Sequence, residues 1–174
     1  MKNYKMKSLL GSMFLTGFFL TGFAQGRLST QIGNLKKVIT EGTSTVLITN
    51  EAEVRLMVYG PEIIRVRVSR VKPSADFSYA VIGTPEGQLS KISENNKEIR
   101  FSTGKINLIV NKMPVRLKFT DLSGKVISED DPSLGISWMG TAVTNYRKLF
   151  DDERFIGLGE KTGGLNRRGS AYVN

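Results

Sequence analysis

The chain has 174 residues, of which 40% are hydrophobic and 24% charged, with 25 Lys and Arg against 16 Asp and Glu for a net charge of +9. That length suits one compact domain, and the composition excludes a disordered, collagen-like or multi-spanning membrane protein. It contains neither Cys nor His, which removes disulfides, thiolate nucleophiles, thiolate zinc sites, cysteine-linked lipids and the imidazole base or metal ligand, and leaves carboxylate chemistry.

At the N-terminus, Met1 to Lys7 is basic and Leu9 to Phe23 is apolar, the pattern of a signal peptide with Gly22 and Ala24 placed for cleavage before Gln25. The apolar run is short for a membrane anchor and is diluted by Thr16, Gly17, Thr21 and Gly22, so no stable anchor is expected. The reading is residues 1–24 as signal peptide and an exported, periplasmic or extracellular mature protein. Removing residues 1–24 takes Lys and Arg from 25 to 22 and the charge to +6.

From Ser44 onward the apolar period is two. Arg55 to Tyr59 precedes a Gly60-Pro61 turn, and Glu62 to Arg70 alternates Ile64, Val66 and Val68 with Arg65, Arg67 and Ser69, as a strand with one buried face does. Further strands are expected at Ser78–Ile82, Lys97–Ser102, Lys105–Asn111 and Val115–Thr120, then at Val126–Ile127, Gly135–Met139 and Ala142–Leu149, with polar turns at Asn95-Asn96, Thr103-Gly104 and Asp121–Lys125. Many short strands at about ten-residue spacing predict an all-β, antiparallel β-sandwich. Arg65, Arg67, Arg116 and Lys118 fall at alternate positions and read as a solvated sheet face. Without an aromatic stacking platform on adjacent strands or a basic recognition helix, no nucleic-acid partner is expected.

Two acidic clusters, Glu129-Asp130-Asp131 and Asp151-Asp152-Glu153, read as solvated turns. Glycoside hydrolysis needs two carboxylates held across the sugar, and adjacent acids on one loop build that poorly. Neither cluster has the ligand spacing of a calcium loop, so no metal site is expected. The segment Phe155–Gly169 places Gly at 157, 159, 163, 164 and 169 among Glu160, Lys161, Arg167 and Arg168. Its spacing matches neither the P-loop nor the dinucleotide fingerprint, so no cofactor is expected. Two readings stay open: a structural crossover, or the wall of a sugar site with Asn166, Arg168, Tyr172 and Asn174 as contacts.

Glu153 to Tyr172 (ERFIGLGEKTGGLNRRGSAY) resembles the segment of glycoside hydrolase family 31 that contains "GLGE", here Gly157, Leu158, Gly159 and Glu160, and leads from the N-terminal sandwich toward the catalytic barrel. The course from Arg27 fits as well, including an F-x-D-x-x-G spelling at Phe119–Gly124. The resemblance implies a galactose mutarotase-like sandwich over 25–152, with 153–174 starting the loop to a (β/α)8 barrel. It also implies a parent α-glucosidase- or α-xylosidase-like enzyme, retaining, whose aspartate nucleophile and acid/base lie on that barrel. The partners implied are an α-linked oligosaccharide or glycoside in the full enzyme, and the barrel against which the sandwich packs.

The family continues past the counterpart of Asn174 into a WN-x-D loop that contacts sugar. The chain is therefore expected to be an N-terminal fragment, inactive alone, without catalytic residues of its own. Its candidate substrate-loop residues are Asn166, Arg167, Arg168, Tyr172 and Asn174, and whether Arg167 and Arg168 face substrate or barrel is left open. A stand-alone secreted carbohydrate-binding or structural sandwich is the alternative, with Trp138, Tyr146 and Tyr172 as its aromatic candidates.

Overall fold

Period-two alternation makes strands, and in the computed structural model, which describes residues 29–71, 77–157, 159 and 162–169, every regular element among those residues is a strand. Residues 1–24, Leu158, Glu160, Tyr172 and Asn174, for which the sequence raised expectations, lie outside the described residues. One layer is an antiparallel four-stranded sheet formed in chain order by β2 (Leu35–Glu41), β3 (Ser44–Thr49), β4 (Glu53–Gly60) and β5 (Ile63–Ser69), after a short β1 (Thr30–Gln31). The other is a five-stranded meander of β6 (Ser90–Glu94), β7 (Glu98–Ser102), β8 (Ile106–Lys112), β9 (Val115–Asp121) and β10 (Val126–Glu129). β11 (Ile136–Met139) and β12 (Ala142–Asn145) form a hairpin that pairs with β1 in a small third sheet, Thr30 opposite Trp138.

The core lies between the two large sheets. Leu47, Val54 and Leu56 face Ile99, Phe101, Leu108, Val110, Val115 and Leu117, and Ile32 and Trp138 join the same cluster from the small sheet. Each such side chain contributes about 1.5–3 kcal/mol by leaving water. Ile64, Val66 and Val68 pack against this cluster as the alternation predicted.

Most expected strands are present, with two kinds of difference. The two-residue β1 is not among the expected strands, and neither are the longer β2 and β6. Each of the longer two is an edge strand in its sheet, polar in sequence, and carries a register shift, between Leu35 and Lys37 and between Lys91 and Ser93. A bulge moves the alternation by one residue and erases the period-two signal. In the other direction, Ser78–Ile82 is not a strand. Ser78 Oγ accepts hydrogen bonds from Ala80 N (3.2 Å) and Val81 N (3.1 Å), a local side-chain turn that takes the amides a ladder would need.

The reading of Arg116 as a solvated-face residue is also corrected: it is 7% exposed. The loop after β10 folds over it. Its guanidinium donates to the carbonyls of Asp131 (3.0 Å) and Ser133 (3.1 Å) and to Gln31 Oε1 (3.0 Å). Burial lowers its pKa below the usual arginine value, opposed by Asp130 and Asp131. Gly135 makes room for it, at φ +54° with an added Cβ falling 2.6 Å from Arg116 Cζ. Lys118, with 44% of its side chain exposed, keeps the solvated character expected.

Candidate functional site

The terminal segment is built from two strands of irregular chain tied at both ends. Phe155 N donates to Asn166 Oδ1 (3.0 Å), Arg167 N donates to the Phe155 carbonyl (2.7 Å), and Ile156 pairs with Asn166. Asn166 Oδ1 also accepts from Arg168 N at 3.2 Å. One amide oxygen therefore fixes both sides of the neck. Between the ties, Gly157, Gly159 and Gly163 have positive φ, as does Gly169 beyond them, so the excursion turns through backbone conformations that side chains with a Cβ rarely adopt. Phe155, Ile156 and Leu165 are exposed on it.

The two arginines are drawn into the same construction. Arg168 Nη1 donates to the carbonyls of Phe150 (2.7 Å), Asp151 (2.8 Å) and Glu153 (3.1 Å), closing a guanidinium over the turn that begins the segment. That turn is closed a second time by Glu153 Oε2, which accepts from Phe150 N at 2.8 Å. Arg167 is 9% exposed and donates to the Thr162 carbonyl at 3.0 Å. Charge-assisted bonds of this kind are stronger than neutral ones. Asn166, Arg167 and Arg168 thus come together as the internal framework of the loop.

The acidic clusters differ from each other. Asp151 and Asp152 are exposed on a turn, as expected. In the first cluster the solvated-turn reading fails for Asp130, which is 8% exposed. Its Oδ2 accepts from Leu117 N (2.8 Å), its own N donates to the Leu117 carbonyl (2.9 Å), and Oδ1 accepts from Arg147 Nη1 (3.2 Å). Burial raises its pKa, against the lowering effects of the Leu117 amide, Arg147 and Arg116. Glu129 lies between Lys148 (2.9 Å) and Lys118 (3.1 Å), which hold its pKa below the usual carboxylate range against the opposing effect of burial. Asp131 Oδ1 caps the Ser133 and Leu134 amides. Each acid of this first cluster has a structural partner. Among the described residues no group of acids could hold a metal ion.

The aromatic candidates separate too. Trp138 is 7% exposed in the core, with Arg70 5.8 Å from its ring, so it offers no open platform, while Tyr146 is half exposed.

Antiparallel layers, a core closed by the small sheet, and a glycine-rich loop leaving the sandwich under the hold of its own arginines define a galactose mutarotase-like β-sandwich domain. Residues 53–174 match the model of the Glycosyl hydrolase 31 N-terminal galactose mutarotase-like domain, and the chain belongs to that family. Alpha-glucosidase 2 of Bacillus thermoamyloliquefaciens is 26% identical over 122 residues, which are 69% of this chain and 15% of the relative. A GH31 dextranase of Flavobacterium johnsoniae, solved with glucose, is 28% identical with a TM-score of 0.74, covering 82% of this chain and 18% of the dextranase. The cycloalternan-forming enzyme of Listeria monocytogenes shares the fold, with a TM-score of 0.66 at 14% identity over 82% of this chain and 14% of its own. The chain thus spans less than a fifth of the length of these relatives.

Proposed function

We propose that this chain is the N-terminal part of an exported α-glycosidase that hydrolyses O-glycosidic bonds with retention. In this reading the sandwich over 25–152 supports a (β/α)8 barrel that follows it, and the barrel supplies both catalytic carboxylates. The segment 153–174 leads to that barrel and shapes the entrance for an α-linked oligosaccharide.

The observation that carries the reading is the loop itself, a segment within the family match whose backbone is held by Asn166 and by the three carbonyl contacts of Arg168. A rigid wall positions a substrate without taking part in its chemistry. Asn166, Arg167 and Arg168 act as positioning residues here, and direct sugar contact falls to the following stretch with Tyr172 and Asn174. The acids described above support the inactivity of the chain alone, because Asp130 and Glu129 are engaged by Arg147, Lys118 and Lys148.

The test has two arms. The purified chain is assayed on p-nitrophenyl α-glucoside and isomaltotriose, and no hydrolysis is expected; turnover by the chain alone overturns the division of labour. The gene is read beyond codon 174 and the product of the whole locus assayed on the same substrates, where hydrolysis with retained anomeric configuration is expected. Mass spectrometry of the exported product checks the address, with Gln25 as its first residue.

A further inference from the structure

The outer face of the four-stranded sheet carries a groove of about 690 Å³ to which no residue of the 153–169 loop contributes. Its floor comes from the alternate positions of β4, where Glu53, Arg55, Met57 and Tyr59 point away from the core that Val54 and Leu56 face. Its wall comes from residues 77–87, which contribute Ser78 and Val81. That wall is anchored at its far end. Glu86 N and Gly87 N donate to the Val58 carbonyl at 3.1 and 3.2 Å, and Gln88 Nε2 donates to the Gly42 carbonyl at 3.1 Å. Glycine is needed at 87, since an added Cβ would fall 2.7 Å from Val58 Cγ1.

The groove's charged groups are pre-oriented by one another. Arg55 Nη2 is held by Glu41 and Glu53, each at 2.7 Å, and the Tyr59 hydroxyl accepts from Arg65 Nη1 at 3.1 Å. A guanidinium fixed this way still presents further N–H donors, and each carboxylate retains acceptor sites. The lining contains three arginines and two glutamates, so opposite charges nearly cancel and are interspersed. Such a surface disfavours a strongly charged ligand of either sign. It suits a neutral ligand carrying many hydroxyls, each able to donate and accept, with Met57 and Val81 against its C–H faces.

A second observation lies next to Ser78 in the chain. Phe77 and Tyr79 make an edge-to-face pair with centroids 4.7 Å apart and planes at 83°, yet Tyr79 is 94% and Phe77 71% exposed. A ring braced by its neighbour and left in water has the geometry of a contact platform. In sequence the strand-like alternation of Ser78–Ile82 conceals the pair.

We propose that this groove, together with the exposed Tyr79 ring that follows its lining residue Ser78 in the chain, binds a neutral oligosaccharide at a site separate from the 153–169 loop. The preference for an α-linked ligand rests on the glycosidase reading; the groove's near-neutral lining and the exposed Phe77–Tyr79 pair do not.

The full chain is titrated with isomaltotriose, cellotriose and inorganic phosphate by two-dimensional NMR. Isomaltotriose is expected to shift amides of β4 and of 77–87 saturably, with affinity falling about three- to tenfold in Tyr79→Ala and falling also in Glu41→Gln. Both side chains are too exposed for their loss to unfold the sandwich, and unchanged Trp138 fluorescence checks that. Absence of sugar-induced shifts, affinity undiminished in both variants, or displacement of bound sugar by phosphate overturns the proposal. Binding of cellotriose in place of isomaltotriose at these same amides upholds the site and overturns the α-linked reading.

Discussion

Replacing Asp130, a buried carboxylate that pairs with both Leu117 and Arg147, tests what a charge inside the sandwich contributes. The carboxylate extends the β9–β10 ladder by one rung, its Oδ2 taking the Leu117 amide at 2.8 Å while its own amide serves the Leu117 carbonyl. Asp130→Ala leaves a buried N–H without an acceptor, costing about 1–3 kcal/mol, and releases Arg147. With 36% of the Arg147 side chain exposed, water takes over most of that guanidinium's solvation, so the ion-pair part adds less than a fully buried pair would. The expected total is about 2–4 kcal/mol. Asp130→Asn keeps an oxygen for the Leu117 amide and carries no charge to desolvate, so it costs about 0–1.5 kcal/mol at neutral pH. The sign with pH is fixed by the raised pKa of Asp130, whose main cause is burial. A group raised in the folded state contributes stability that is full below its unfolded pKa and is lost as pH rises through the folded one. The asparagine variant therefore compares more favourably with the parent at neutral than at acid pH. Urea unfolding followed through Trp138, the one tryptophan, reads both variants. An alanine cost below about 0.5 kcal/mol, or an asparagine as costly as alanine at neutral pH, refutes the reasoning.

Gly135→Ala places a Cβ against the Arg116 guanidinium at positive φ and is expected to cost about 2–4 kcal/mol in the same urea experiment. Arg168→Ala removes three carbonyl contacts from the turn that starts the terminal loop. It is expected to raise hydrogen exchange at the Phe155 and Arg167 amides about tenfold while the core amides are unchanged. Glu129→Gln is expected to cost about 0.5–1 kcal/mol at neutral pH, since Lys118 and Lys148 are substantially exposed and screened. Because Lys148 and Lys118 lower the Glu129 pKa, that contribution is present above the unfolded carboxylate pKa and lost as pH falls through the folded one. The parent and variant stabilities are expected to converge in acid, as measured by urea midpoints across pH.

The strands with one buried face were legible because their alternation is a direct record of burial: Ile64, Val66 and Val68 meet the core just as their spacing implies. What the spacing could not carry was the second covering of a sheet. Arg116 and Arg65 occupy equivalent outward positions in sequence, yet the 131–135 loop buries the first and the 77–87 segment makes the second part of a groove's lining. Both coverings are loops, whose paths are set by contacts distant in sequence, such as Gly87 against Val58. The same limit applies to the acids. Asp130 and Asp151 sit in similar polar clusters, and only the return of Arg147 alongside Asp130 distinguishes a buried rung from an exposed turn.

The Gly-rich terminal segment poses the opposite case, in which spelling identified a family and geometry supplies the physical reason for the spelling. Glycines at positive φ give the chain its path but leave it without the side-chain packing that would hold it there. Long polar side chains that reach backbone carbonyls compensate, and Arg168 brings three of them to a single guanidinium nitrogen, Nη1, which lies one bond further from the backbone than a lysine's Nζ. Glycine and arginine are thus two halves of one device. Arg168→Lys should therefore loosen the loop nearly as much as alanine, in spite of its retained charge. If lysine restores slow exchange at the Phe155 and Arg167 amides, charge alone suffices and the geometric account of this segment fails.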